Sequence, residues 1–79
     1  MVSYELWQTR TRNLIGAFAT KAEALAAVRR AAETHGPSFI ETLFLGREDD
    51  KGRSRMLAQG KALLELAHRD ERERAVPTT

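Results

Sequence analysis

Apolar and polar positions alternate near the start of the chain in the manner of a β-hairpin. Residues 4–9 are rich in aromatic side chains and alternate imperfectly, which predicts a strand. Residues 11–13 predict the turn, because Asn13 tolerates left-handed backbone angles. Residues 13–19 predict a second strand, with one face formed by Leu14, Gly16 and Phe18 and the other by Ile15, Ala17 and Ala19.

The apolar spacing then changes to that of a helix. Thr20 and Glu23 form an S/T-x-x-E capping box, in which each side chain can satisfy a backbone N–H at the helix start. The Ala- and Leu-rich residues that follow predict a helix over 21–34, with an apolar stripe between residues 25 and 32. The sequence His-Gly-Pro at 35–37 predicts its end.

The second half of the chain predicts another hairpin, without an internal sequence repeat. Residues 38–41 are either a short helical turn or the start of the next strand. Residues 42–48 and 53–59 predict two further strands, and the polar turn between them, which ends in glycine, suits a hairpin loop. Gly60 breaks the last strand, and residues 61–68 predict a second, shorter helix.

The predicted order is therefore β-β-α-β-β-α. It indicates an α+β fold with a four-stranded mixed sheet and both helices packed on one face. A single helix between the second and third strands implies a right-handed crossover and parallel neighbours there. We expect one domain over residues 1–68 and a charged, frayed tail over 69–79. Phe18 and Leu25 should share the core, because the second strand leads directly into the first helix.

Length and composition narrow the class of protein. Seventy-nine residues allow one modest core, and the absence of cysteine excludes disulfides and thiolate metal sites. No apolar run approaches the roughly 20 residues of a membrane span, and the N-terminus lacks the pattern of a signal peptide. We therefore expect a cytoplasmic protein without a membrane partner. The excess of arginine over lysine, with many alanines, indicates the coding bias of a bacterium rich in G and C.

The residue types that could perform chemistry do not form a recognisable pattern. His35 falls at a predicted helix end, where the helix dipole favours a cation, and His68 falls in a charged segment. The acidic run at 48–50 lacks the alternating carboxylates of an EF-hand, and no phosphate-binding glycine loop is present. We predict no catalytic residue, no metal ligand and no cofactor, and hence no enzyme.

Apolar side chains that the predicted core cannot cover indicate an interface. Trp7 and Ile15 are expected to face away from the first helix, and Leu63 and Leu64 spread around more than one side of the second. Exposed apolar surface on a small sheet is typical of a protein interface. The preferred function is therefore a small non-enzymatic bacterial binding module, acting as a homodimer or within a protein complex.

The alternative function is nucleic-acid binding, regulatory or antitoxin-like. A sequence pI near 9.5 favours an anionic partner. The basic residues lie around the two predicted turns: Arg10, Arg12, Arg47, Lys51, Arg53 and Arg55. If the second and third strands are parallel, these cations form two patches at opposite ends of the sheet, and the acidic run at 48–50 neutralises one of them.

The string Gly16-x-Phe18-x-Thr20-x-x-Glu23-Ala24, between a hairpin and an Ala-rich helix, resembles small uncharacterised bacterial domains of β-β-α-β-β plan. It is more loosely similar to HicB-like antitoxins and to viroplasmin-like hybrid-binding domains, over about residues 4–59. An antitoxin likeness implies a toxin-binding segment and a DNA-binding one. The chain has no recognisable ribbon-helix-helix or helix-turn-helix extension, and the aromatic and basic positions of a hybrid-binding surface do not map onto it.

Overall fold

The computed structural model describes residues 2–75, with side chains through residue 73, and the last predicted tail residues, 76–79, lie outside that range. The elements in chain order are strand β1 (Ser3–Gln8), strand β2 (Leu14–Phe18), helix α1 (Lys21–His35), helix α2 (Pro37–Ile40), strand β3 (Leu43–Glu48), strand β4 (Ser54–Gln59) and helix α3 (Gly60–Ala75). The fold is α+β, as predicted. The short helix α2 resolves the ambiguity over residues 38–41 in favour of a helical turn.

The four strands form one sheet in the order β2-β1-β3-β4, and each pairing is antiparallel. The predicted mixed sheet is therefore not confirmed, because β1 lies between β2 and β3 and keeps them from pairing. These two strands do run in the same direction, since each is antiparallel to β1. The β1–β2 and β3–β4 turns consequently lie at opposite ends of the sheet, as the pairs Gln8–Leu43 and Ser3–Glu48 show.

The junction between β2 and α1 lies where the capping box predicts it. Thr20 has extended backbone angles (φ −129°, ψ 154°), and its Oγ1 accepts a hydrogen bond of 3.1 Å from the Glu23 N–H. Within the described residues, the Thr20 N–H does not form the reciprocal hydrogen bond to the Glu23 carboxylate. At the other end, Gly36 (φ 90°) stops α1 and donates its N–H to the Ala32 carbonyl at 2.8 Å.

The core lies between the helices and one face of the sheet. Its fully buried side chains come from both layers and are mostly leucines: Leu6, Ala24, Leu25, Val28, Ile40, Leu43, Leu45, Leu63 and Ala67. Phe18 packs against this cluster and is half-buried, so Phe18 and Leu25 share one core as predicted. Removing a buried leucine side chain from such a cluster costs about 2–5 kcal/mol.

Helix α3 continues well past its predicted end at residue 68. Arg29 on α1 fixes it, because its Nη1 donates to the Ala67 carbonyl at 3.1 Å and to Asp70 Oδ2 at 3.4 Å. Glu71 Oε2 lies 3.9 Å from the Arg29 Nε. Residues 69–75, predicted as a tail, therefore belong to the helix. Within residues 2–75, no helix has both the length and the apolar character needed to cross a membrane.

Candidate interaction surface

The face of the sheet opposite the helices, which we call the open face, carries an aromatic pair. Strand alternation places Trp7 and Phe44 there, because Leu6, Leu43 and Leu45 beside them point into the core. Trp7 and Phe44 are cross-strand partners on the two central strands. Their ring centroids are 6.4 Å apart and their planes are inclined by 12°. Neither ring packs against the buried core cluster.

The cross-strand register divides the open face into three rows. The row nearest the β1–β2 turn is bulky and consists of Leu14, Trp7, Phe44 and Gln59. The middle row consists of Ala17, Glu5, Gly46 and Met56. The third row consists of Ser3, Glu48 and Ser54. Bulky side chains therefore lie next to a row that has a glycine on a central strand and an alanine on an edge strand.

Two β-bulges decide which edge residues join the open face. On β2 the extra residue is Ile15, so Leu14 lies opposite Trp7 on the open face, whereas strict alternation placed Leu14 on the face of Phe18 and Ile15 on the face of Trp7. Ile15 is itself 48% exposed. On β4 the extra residue is Leu57, and the bulge places Met56, which is 55% exposed, opposite Gly46.

A shallow groove of about 480 Å³ crosses the open face and is lined by Trp7, Thr9, Arg12, Phe44, Met56 and Gln59. Arg12 lies in the β1–β2 turn. The sequence predicted a left-handed backbone angle in this turn at Asn13, but the structure has it at Arg12, whose φ is 57°. The Arg12 N–H donates to the Gln8 carbonyl at 2.8 Å. Arg12 therefore lines the groove from the side of the β1–β2 turn.

Carboxylates occupy the other two rows of the open face. Glu5 lies in the middle row and Glu48 in the third, and both are half-buried. Within the described residues, neither carboxylate has an ion pair, and Arg12 has none either. The strand residues of the open face thus run from a basic end at Arg12, through an apolar row, to an acidic end at Glu48, although Lys51 and Arg53 lie in the adjoining turn.

The four residues predicted for a protein interface do not form one surface. Trp7 lies on the open face and Ile15 at the edge strand beside it. Leu63 has no accessible surface and belongs to the core. Leu64 is half-buried, packs against the core and lines a separate shallow pocket beside α2.

The predicted nucleic-acid contacts lie in two groups, because the two turns are at opposite ends of the sheet. Arg10 and Arg12 belong to the β1–β2 turn, and Lys51 and Arg53 to the β3–β4 turn. Arg47 and Arg55 are direct cross-strand partners, in register with Tyr4 on the helix side of the sheet. Arg47, Arg53 and Arg55 line a shallow pocket at that end together with Asp49.

Asp49 organises the β3–β4 turn. Its Oδ1 accepts hydrogen bonds from the Lys51 and Arg53 N–H groups, each at 2.9 Å, and its Oδ2 accepts from Arg53 Nε at 3.1 Å. These donors, the Arg53 N–H above all, hold the pKa of Asp49 below its ordinary value. In the part of the chain that the structure describes, no three His, Asp or Glu side chains are grouped so that they could hold a metal ion.

The two histidines lie on different helices. His35 is the last residue of α1, where the sequence placed it at the negative end of the helix dipole, and its ring centroid is 4.8 Å from that of Phe39. His68 is exposed on α3, in a pocket lined also by Glu65, Arg69 and Arg72.

Sequence reasoning identifies Trp7 on the open face but misses Phe44 and Met56. The signal for Phe44 is its place between Leu43 and Leu45, since alternation puts it on the opposite face from two core leucines. Met56 gives no such signal, because the bulge at Leu57 interrupts the alternation of β4.

Comparisons of the chain with protein-family models, with curated proteins and with solved structures found no match. The resemblance to small bacterial β-β-α-β-β domains, HicB-like antitoxins and viroplasmin-like domains therefore stays a prediction.

Proposed function

We propose that the chain is a small non-enzymatic binding module that acts as a homodimer or within a protein complex, and that the open face is its binding surface. The observation that supports this is the Trp7–Phe44 pair on the uncovered face of the two central strands. Leu14 and Met56 extend the apolar area around it and are 48% and 55% exposed. Aromatic and methionine side chains are enriched at the centres of protein interfaces.

The charges on the open face favour a protein partner over a nucleic acid. Bases stacked on Trp7 and Phe44 would bring phosphates close to Glu5 and Glu48, which repel them. Arg12 is the one cation lining the groove in the described part of the chain. A protein surface with its own apolar centre and mixed charges meets no such repulsion.

Trp7 is the sole tryptophan of the chain, so its emission reports directly on the open face. We expect the wild-type mass, measured by sedimentation velocity from about 1 µM to about 1 mM, to rise toward that of two chains, as for weak interfaces. The Trp7 emission should move to shorter wavelength over the same range. Wild-type protein that stays monomeric, with unchanged emission, contradicts the homodimer.

Phe44→Thr tests whether the open face is the surface involved. Threonine suits a strand, and Phe44 makes no contact with the buried core, so the fold should survive. We expect Phe44→Thr to remain monomeric at concentrations where the wild type dimerises. The matched control is Arg30→Glu, an exposed position on the outside of α1. Equal dimerisation of Phe44→Thr and wild type would assign the interface to another surface.

Nucleic-acid binding is the second candidate, and the Arg47–Arg55 pair is the observation that favours it. Like charges directly opposite each other on neighbouring strands are destabilising, and a phosphate between them would relieve the repulsion. Binding of a labelled single-stranded oligonucleotide, followed by anisotropy, should then weaken steeply with salt. Arg53→Ala and Arg55→Ala should each reduce the salt slope by about one. No binding at low salt would exclude this candidate.

A further inference from the structure

We infer that the occupant of the open face is a second copy of this chain, packed face to face with its strands reversed, so that Arg12 of each protomer meets the acidic end of its partner. This inference rests on the homodimer proposed above and adds its orientation and the charges that select it.

Two sheets related by a two-fold axis can pack face to face in two simple ways. An axis along the strands places like ends together, and would bring Arg12 of one protomer toward Arg12 of the other. An axis across the strands reverses them and places each basic end over the partner's acidic end. Because Arg12, Glu5 and Glu48 lack ion-pair partners within the described residues, the open face is electrostatically self-complementary about the second axis.

On two of the four strands, the same axis also places a large side chain over a small one. Successive rows lie about 7 Å apart along the strands. A two-fold axis between the bulky row and the middle row therefore places each bulky row over the partner's middle row. Phe44 then lies over the partner's Gly46, and Leu14 over the partner's Ala17. Trp7 lies over the partner's Glu5, where the indole N–H can donate to the carboxylate. The row beyond Trp7, which Arg12 occupies, faces the row that contains the partner's Glu48.

The size of the open face sets the strength of this dimer. Four strands about 4.8 Å apart and three rows about 7 Å apart cover roughly 400 Å² on each protomer, or roughly 800 Å² in total. Interfaces below about 1,200 Å² belong to weak, transient complexes. We therefore expect a dissociation constant in the micromolar range or above, with the charges acting on orientation and specificity more than on affinity.

A charge-swap experiment tests the orientation. Arg12→Glu or Glu48→Arg alone places like charges together at both symmetric contacts, and each should weaken self-association about tenfold at low salt. An equimolar mixture of the two variants should recover association, because each heterodimer then has two opposite-charge contacts. The double variant Arg12→Glu/Glu48→Arg should recover it as a homodimer. Sedimentation equilibrium gives the constants, and energy transfer between differently labelled variants identifies heterodimers.

Arg10→Glu is the matched control, since Arg10 is exposed in the same turn but does not line the groove. Its effect on self-association should be smaller than that of Arg12→Glu, and circular dichroism should show that all variants remain folded. Single variants that dimerise like the wild type, or a mixture that recovers nothing, would overturn the reversed orientation while leaving the open-face homodimer standing. A wild-type chain that stays monomeric would overturn both.

Discussion

Arg29 and Arg30 are adjacent on α1 but have opposite surroundings, so the two residues together test what holds α3 in place. The Arg29 side chain is 19% exposed and donates to the Ala67 carbonyl and to Asp70. Arg30 is exposed and has no hydrogen bond or ion pair within the described residues. We expect Arg29→Ala to destabilise the protein and Arg30→Ala to be nearly neutral.

The expected loss follows from the contacts of Arg29. A hydrogen bond from a charged donor to a carbonyl is worth about 1.5–3 kcal/mol. The partly exposed pair with Asp70 adds at most about 1 kcal/mol, and alanine offsets a few tenths through its helix propensity. Arg29→Ala should therefore cost about 2 kcal/mol, whereas Arg30→Ala should change stability by less than about 0.5 kcal/mol. In a domain of this size, about 2 kcal/mol lowers Tm by about 8–16 °C.

Urea and thermal denaturation followed by far-ultraviolet circular dichroism measure both variants under the same conditions. Arg29→Lys keeps the charge but loses the planar fork, so its stability should fall between those of the wild type and Arg29→Ala. The Arg29→Ala spectrum should also lose helical signal, since the end of α3 is no longer fixed to α1. Equal urea midpoints for the two alanine variants would refute the assignment of Arg29 as the residue that fixes α3.

Three further predictions concern local structure. Only the Thr20 half of the capping box is formed, so in urea denaturation Thr20→Ala should cost about 0.5–2 kcal/mol and Glu23→Ala less than about 0.5 kcal/mol. Equal losses would show that both halves form. Gly16→Ala should cost about 1–3 kcal/mol, because a Cβ there would lie 2.9 Å from Phe18 Cζ. In a Phe18→Leu background the same substitution should cost much less, and additive effects of the two substitutions would contradict this contact. The pKa of Asp49 is lowered in the folded state, so its carboxylate adds stability above the unfolded-state pKa and loses it as pH falls through the lower folded value. A carboxyl ¹³C titration should give a midpoint below that of an ordinary aspartate, and an ordinary midpoint would contradict the three hydrogen bonds.

The features that the sequence predicts correctly are local ones. The start of α1 depends on Thr20 and the residues just after it, and its end depends on Gly36, whose φ of 90° other residues rarely adopt. The four strands and the helical face around Leu25 follow from apolar spacing over a few residues. Each of these signals is complete within one element, so no knowledge of the rest of the fold is needed to interpret it.

The features that the sequence does not predict depend on contacts between distant segments. Nothing near β2 or β3 reveals that β1 lies between them, and the bulge residues Ile15 and Leu57 look like ordinary members of an alternating strand. The length of α3 is a partial exception. Glu65, Arg69 and Glu73 follow one another at intervals of four, a spacing that favours a helix, although Arg29 on α1 supplies the tertiary contact.

The open face departs from the usual composition of a sheet with helices on one side only. In such a two-layer fold the uncovered face is normally polar, because water solvates it. Here its central positions are Trp7 and Phe44, and neither supports the buried core, so folding alone does not require them. Residues that break a local rule without a structural need are the ones expected to serve function. Among the described residues, the same face also has Arg12 at one end and Glu5 and Glu48 toward the other, a separation of charge that folding of a monomer does not require. A partner accounts for both features if it covers the aromatic pair and places carboxylates over Arg12 and a cation over the carboxylates. A second copy of this chain with its strands reversed has both properties.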